Sequence, residues 1–207
     1  MASLWSIRLL SRLAAGVLAA LGLATTLPAQ TPERASLAGQ FLVASPAMGD
    51  SRFDRTVILM VEHNRNGAFG LIINLPMAER PLKDLLQMLG DKDAAVPGQV
   101  RIFAGGPVQP TTGFVVHSTD YRATGTIDID GHVAVTSSRD ILRDIGNGRG
   151  PQKSLVAFGY SGWGPGQLEG ELERGAWVTA PADPRLIFDE ERDKVWDAAF
   201  AARTKDL

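Results

Sequence analysis

The sequence of 207 residues contains no cysteine, only three histidines and 7% aromatic residues. Without cysteine the chain forms no disulfide, offers no thiolate nucleophile and builds none of the Cys-based zinc sites. No Gly-Lys pair occurs, so the phosphate loop whose lysine reaches the terminal phosphates is missing as well. Basic charge is not in excess: 21 Lys and Arg stand against 23 Asp and Glu, a net charge of −2. Neutralising phosphates supplies most of the affinity for nucleic acid, so no direct nucleic-acid partner is expected. Neither a Glu-x-x-His nor a His-x-His pair is found, and no metal or other cofactor is expected.

What is present is 22 glycines and 12 prolines without a period, in a chain that is 44% hydrophobic. Disorder, collagen and coiled coil are excluded by this balance, which points to one turn-rich domain of short elements.

The first 29 residues have the pattern of an export signal. Arg8 and Arg12 precede an uncharged apolar run from Leu13 to Leu27, and Ala29 offers a small residue for cleavage before Gln30. The run is shorter than the ~20 residues of a membrane-spanning helix, and no later stretch reaches that length, so no span is expected in the mature chain. Both arginines would leave with the signal, making the mature chain, of about 178 residues, more acidic. Residues 30–36 read as a polar linker, and the domain is expected over 37–203.

Strand-length apolar runs bounded by Gly, Pro, Asn or Asp occur at Phe41–Ala44, Thr56–Val61, Gly70–Leu75, Val100–Ala104, Gly113–His117, His132–Thr136 and Leu155–Tyr160. Several are almost continuously hydrophobic, as strands covered on both faces are, and Asn66-Gly67 marks a tight hairpin turn. A mixed sheet follows. Leu82, Leu85, Leu86 and Leu89 repeat at helical spacing behind Pro81 and stop at Gly90. A second helix is expected from an N-cap at Ser137 or Ser138 to Asn147-Gly148, burying Ile141, Leu142 and Ile145. A third, from about Glu190, carries Val195, Trp196, Ala199 and Phe200 behind the acids Asp189, Glu190 and Glu191.

The segment from Gly159 to Gln167 follows a strand and precedes a helical stretch, the place where an α/β enzyme keeps a nucleophile. A Gly-x-Ser-x-Gly elbow around Ser161 fails because Trp163 occupies its last glycine, and because His63, His117 and His132 all precede the serine. As a dinucleotide loop the stretch has Gln167 for its third glycine, and Glu169 and Glu171 would repel a pyrophosphate. Glu62 and His63 point to opposite faces of a strand unless a bulge intervenes, so Glu62-His63-Asn64 is either turn chemistry or a metal or acid-base site. His117 reaches His63 only if their strands are neighbours, and His132 is expected in solvent beside the Asp130-Gly131 turn. Trp163, between glycines in a loop, either plugs the core or faces a cleft. Trp177 is expected to open a strand.

Taken together, these motifs resemble the AlgH/YqgE family from Leu37 to about Phe200. The resemblance is carried by Leu37-x-Gly39-x-Phe41-Leu42-Val43-Ala44-x-Pro46-x-Met48-x-Asp50-x-x-Phe53, then Glu62-His63-Asn64-x-x-Gly67-Ala68-x-Gly70-Leu71-Ile72-Ile73-Asn74. It continues through Gly105-Gly106-Pro107-Val108, Gly113-Phe114-Val115-x-His117 and Gly159-Tyr160-x-Gly162-Trp163-Gly164-x-Gly166-Gln167-Leu168-Glu169. The resemblance implies a single α/β (α+β) domain whose mixed, branched sheet is curled in part into a small barrel and surrounded by helices. The family is associated with regulation of alginate production and its members are described as transcriptional regulators, without established catalytic residues. Ser45 and Ser161 stand where the family usually has Met and Ala, and the signal-like segment is foreign to a family that looks cytosolic, so a cytosolic location is the alternative to periplasmic export.

The expectation is a non-enzymatic regulatory or interaction protein that acts on a protein or small-molecule partner, indirectly and not by DNA contact. Its candidate groove comprises Glu62, His63, Asn64, Asn74, His117, Trp163, Gln167 and Glu169, polar groups gathered around a glycine-flanked aromatic. The alternatives are a hydrolase that uses Ser161 or His63, and an exported structural partner in the envelope.

Overall fold

The computed structural model describes residues 35–92 and 95–204; the signal-like segment and linker residues 30–34 lie outside the described residues. The continuous apolar runs become strands because both of their faces find partners. Along β1 (Gln40–Ala44), Phe41 and Val43 enter one core while Leu42 and Ala44 enter another on the opposite face.

From there the order is β2 (Val57–Asn64), β3 (Gly67–Ile72), β4 (Pro76–Pro81), α1 (Leu82–Met88), β5 (Gln99–Ala104), β6 (Val108–Ser118), β7 (Thr126–Asp128) and β8 (Val133–Thr136). The chain continues through α2 (Asp140–Gly146), β9 (Ser154–Trp163), α3 (Gln167–Glu173), β10 (Trp177–Pro181), α4 (Pro184–Phe188) and α5 (Val195–Ala201). The strands join in the order β10-β1-β2-β3-β9-β6-β8-β7, and β5 pairs with both β9 and β4. Every pairing is antiparallel except β5 with β9, so the sheet is mixed. The result is a single α+β domain with a curled, branched sheet and five α-helices around it.

The branch lies in β9. One half of this strand pairs with β5 through Val156, Ala157 and Phe158, and the other half pairs along the same edge with β3 through Ser161, Gly162 and Trp163. Between the halves Gly159 takes φ +73, and a Cβ there would lie 2.3 Å from the carbonyl oxygen of Gly106. Only glycine permits the two backbones to approach this closely where the sheet divides.

Three cores result. Phe41, Leu59, Leu71 and Val116 pack with Ile187, Val195 and Ala199 of α4 and α5. On the reverse face of β1 and β2, Leu42, Ile58 and Met60 meet Trp163, Trp177 and Leu168 of α3. Leu82, Leu85 and Leu86 of α1 and Ile141 and Leu142 of α2 cover Ile102, Val115 and Val156.

The structure departs from expectation at five points. The run ending at Tyr160 continues to Trp163, so Trp163 closes a strand and is not in a loop. β4 was not expected, because Pro76 and Pro81 bound it; as an edge strand it tolerates prolines that donate nothing to the ladder. The three-residue β7 is too short to show a period. The expected third helix is two, α4 and α5, with Asp189, Glu190 and Glu191 in their connection. Asp183 caps α4 by accepting from the Arg185 amide at 2.9 Å, and Arg192 donates to the carbonyls of Ile187 and Glu190 to close the corner. The second helix starts later than expected, at Asp140 with Arg139 as cap, although Ser138 still accepts from the Asp140 amide. Among the described residues no helix is long and apolar enough to cross a membrane.

Candidate functional site

The β2–β3 hairpin gathers most of the expected site residues. Asn64 pairs with Gly67 across the two-residue turn Arg65-Asn66, and the Asn64 Oδ1 accepts from the Asn66 amide at 2.8 Å. Gly67 takes φ +132, and a Cβ there would lie 2.2 Å from the Trp163 carbonyl oxygen, so glycine lets the turn seat on the end of β9. A register shift between Met60 and Glu62 bulges β2 just before the turn. Beyond it Glu62 and Asn64 share the exposed side, where the Asn64 amide donates to the Glu62 carboxylate at 2.5 Å. Together with Asn66, Phe69 and Trp163 they line an open cleft of about 220 Å³.

His63 points the other way. Its side chain is 6% exposed, and its Nδ1 accepts from the Leu37 amide at 3.1 Å, which assigns the ring proton to Nε2. Nε2 then donates to Glu169 at 2.9 Å, joining the hairpin to α3. Ser36 donates to the His63 carbonyl at 3.0 Å, so the entering chain is bonded to this residue at ring and backbone alike.

Trp163 is buried in the core and not spread over the cleft. Its indole N–H donates to Glu171 Oε2 at 2.8 Å, and Trp177 donates to the same oxygen at 2.8 Å. Gln167 donates to Oε1 at 3.0 Å and accepts from the Gly164 amide. Burial would raise the Glu171 pKa, but the hydrogen bonds from Trp177, Gln167 and Trp163 outweigh it and hold the carboxyl below its ordinary value. Sequence reasoning treated Glu171 only as a repulsive charge. The available signal was its i,i+4 spacing from Gln167 on a helix that follows Trp163.

Asn74 and His117 lie elsewhere. Asn74 is buried, accepts from the Val57 amide at 2.8 Å and donates to the Arg55 carbonyl at 2.9 Å, fixing Arg55 at φ +50. His117 belongs to β6, which β9 and β3 separate from β2, so it does not meet His63. It is fully buried, with Nδ1 on the Ser118 carbonyl and Nε2 on the Thr136 hydroxyl, both at 2.9 Å. Because a carbonyl only accepts, Nδ1 carries the proton and Thr136 donates to Nε2. Burial pushes this imidazole below its ordinary pKa, against the opposing pull of Ser118 and Asp120. Ser161 is buried, and its hydroxyl reaches the Gly105 carbonyl at 3.5 Å. His132 is exposed, beside the turn at Asp130. Among the described residues no group of three or more metal-ligating side chains is gathered.

The AlgH-like family model matches residues 41–207. The chain belongs to the AlgH-like family. A UPF0301 protein of Methylococcus capsulatus is 44% identical over 174 residues, covering 84% of this chain and 95% of that protein. A UPF0301 protein of Jannaschia is 46% identical over 165 residues, covering 79% and 86%. Among solved structures, the AlgH protein from Pseudomonas aeruginosa is 41% identical, with a TM-score of 0.72 over 84% of this chain and 92% of that one. The Corynebacterium diphtheriae protein DIP2367, at 22% identity and TM-score 0.60, shares the fold. AlgH-like membership fits the curled, branched sheet observed in this chain.

Proposed function

We propose that this AlgH-like chain is a non-enzymatic binding protein that acts in regulation through a protein or small-molecule partner, and that the cleft at the β2–β3 hairpin is where the partner docks. The observation that carries this reading is the cleft's composition: one exposed carboxylate, Glu62, steadied by Asn64 and flanked by the Phe69 ring. Such a surface suits a cation, a lysine or arginine side chain or a small amine, with the carboxylate supplying charge and Phe69 supplying apolar contact for the attached carbons. Acid-base or nucleophilic chemistry is not favoured here. The His63 lone pair is occupied by Leu37, and the Ser161 hydroxyl is directed at a carbonyl without an imidazole beside it. The acidic charge of the chain favours indirect regulation over DNA contact.

Titration with arginine-containing peptides and with polyamines, followed by amide NMR, tests the docking site. Shifts at residues 62–69 that weaken in Glu62→Gln support it. No shift there, or ester turnover abolished by Ser161→Ala, overturns it. We also infer export from the arginine-flanked apolar run of residues 1–29. N-terminal sequencing from fractionated cells should find Gln30 first in the periplasm, and an intact Met1 in the cytosol would refute export.

A further inference from the structure

A separate cavity of about 200 Å³ opens between the end of α1, the start of α2 and the central strands. Its apolar wall is formed by Val115, Leu142, Val156 and Phe158. Thr136 also borders it, but the Thr136 hydroxyl proton is committed to His117, so the wall offers no free donor there. Polar groups stand at the mouth. Arg139, the cap residue of α2, donates from Nη1 to the Leu89 carbonyl at 3.0 Å, which fixes the guanidinium across the opening from one helix to the other. Among the described residues Arg139 makes no ion pair, and its remaining N–H groups are uncommitted. The Ser137 hydroxyl beside it also lacks a bond among the described residues, whereas Ser138 is taken by Asp140.

We propose that this cavity binds a small monocarboxylic acid, with the carboxylate on Arg139 and Ser137 and the apolar body between Val115 and Leu142. A guanidinium offers paired parallel donors that match a carboxylate, and it is strongest where an apolar wall excludes water on one side. The volume falls below the ~300–1,000 Å³ of sites for drug-sized ligands, which limits the body to a short aliphatic chain or a single ring. Arg139 is the one cation among the described residues that line the cavity, so a single negative charge is matched and the second charge of a phosphate monoester is not. This site is independent of the hairpin cleft and stands whether or not that cleft docks a partner.

The test is amide NMR titration of the full chain with hexanoate and benzoate at millimolar concentration, with hexanol as the neutral control. Hexanoate should shift the amides of Val115, Leu142 and Val156 and bind more tightly than hexanol. Arg139→Gln should weaken hexanoate by about tenfold or more, the effect of losing a charged hydrogen bond, and leave hexanol unchanged. Arg139 is exposed, so the variant is expected to fold, and Arg139→Lys should recover part of the loss. No shift at these amides, shifts confined to another surface, or equal affinity in Arg139→Gln overturns the proposal.

Discussion

Trp163 and Trp177 stand edge to face, with ring centroids 6.1 Å apart, and both direct their indole N–H groups to one oxygen of Glu171. The strand end of β9 and the first residue of β10 are thereby tied to the same turn of α3. A single carboxylate satisfies two donors that would otherwise be enclosed without a partner. Glu171→Ala should therefore cost about 2–4 kcal/mol, more than a typical surface substitution. Glu171→Gln, which keeps an acceptor, should cost less. Urea unfolding monitored by tryptophan fluorescence distinguishes the two, and equal midpoints for wild type and Glu171→Ala would contradict this role.

His117 gives the fold a dependence on pH. The buried imidazole has a lowered pKa, so in mildly acidic solution the unfolded chain takes up a proton that the folded chain refuses. The stability it contributes is complete above the unfolded value of about 6.5 and is lost as pH falls from there through the folded value. The groups facing it are Thr136, the Ser118 carbonyl, Asp120 and the Tyr121 ring, 5.7 Å away between centroids. The urea midpoint should fall between pH 7.5 and pH 5, and His117→Gln, which keeps a donor and an acceptor but does not titrate, should flatten that fall. An unchanged pH slope in the variant would count against His117 as its source.

Gly67 and Gly125 both have positive φ but differ in what surrounds them. A Cβ at Gly67 meets the Trp163 carbonyl oxygen at 2.2 Å, whereas nothing lies within 4 Å of one at Gly125. Gly125→Ala should cost about 1 kcal/mol of backbone strain. Gly67→Ala should cost roughly twice that or more and should shift the amides of Trp163 and Gly164, since a carbonyl cannot yield as a flexible side chain does. Similar melting temperatures for the two variants would show that the hairpin seats loosely on β9.

His63 fastens the chain that enters the domain. Replacing it with phenylalanine removes the acceptor for Leu37 and the donor to Glu169 while leaving the Ser36 contact with the backbone. Amide exchange at Leu37 should accelerate by at least tenfold in His63→Phe, with little change in the strands of the first core, because entry segments open locally before the domain does. Unaltered exchange would mean that packing of Leu37 alone secures the segment.

Local pattern made the central strands and the first two helices legible. Phe41–Ala44 could be read from a run too apolar for a one-sided strand, and the hairpin from Asn66-Gly67, although its turn residues are Arg65 and Asn66, one position earlier. Elements defined by their partners were not legible. The proline-bounded β4 exists because β5 offers it an edge, and Trp163 became a strand residue because β3 receives it. Within the candidate groove, the sequence brought Glu62, His63 and Asn64 together by adjacency. Their division between two faces, and the link from His63 to Glu169 at 106 positions' separation, depend on the bulge in β2 and the placement of α3. Asn74 and His117 carry residue types that suit chemistry, yet each satisfies buried polar groups of its own neighbourhood. The carboxylate shared by two tryptophans, and the arginine across the second cavity, arise only when distant helices and strands meet.

The forked strand β9 also bears on how the chain reaches this structure. Neither branch of the sheet can close before β9 arrives, since it supplies pairing to β3, β5 and β6, all made earlier in the chain. Contacts of such long sequence separation slow folding, because the loops must be closed before the pairing repays them. During synthesis the earlier strands must therefore wait with open edges until Trp163 has left the ribosome, and that interval is when the chain is most exposed to misassociation.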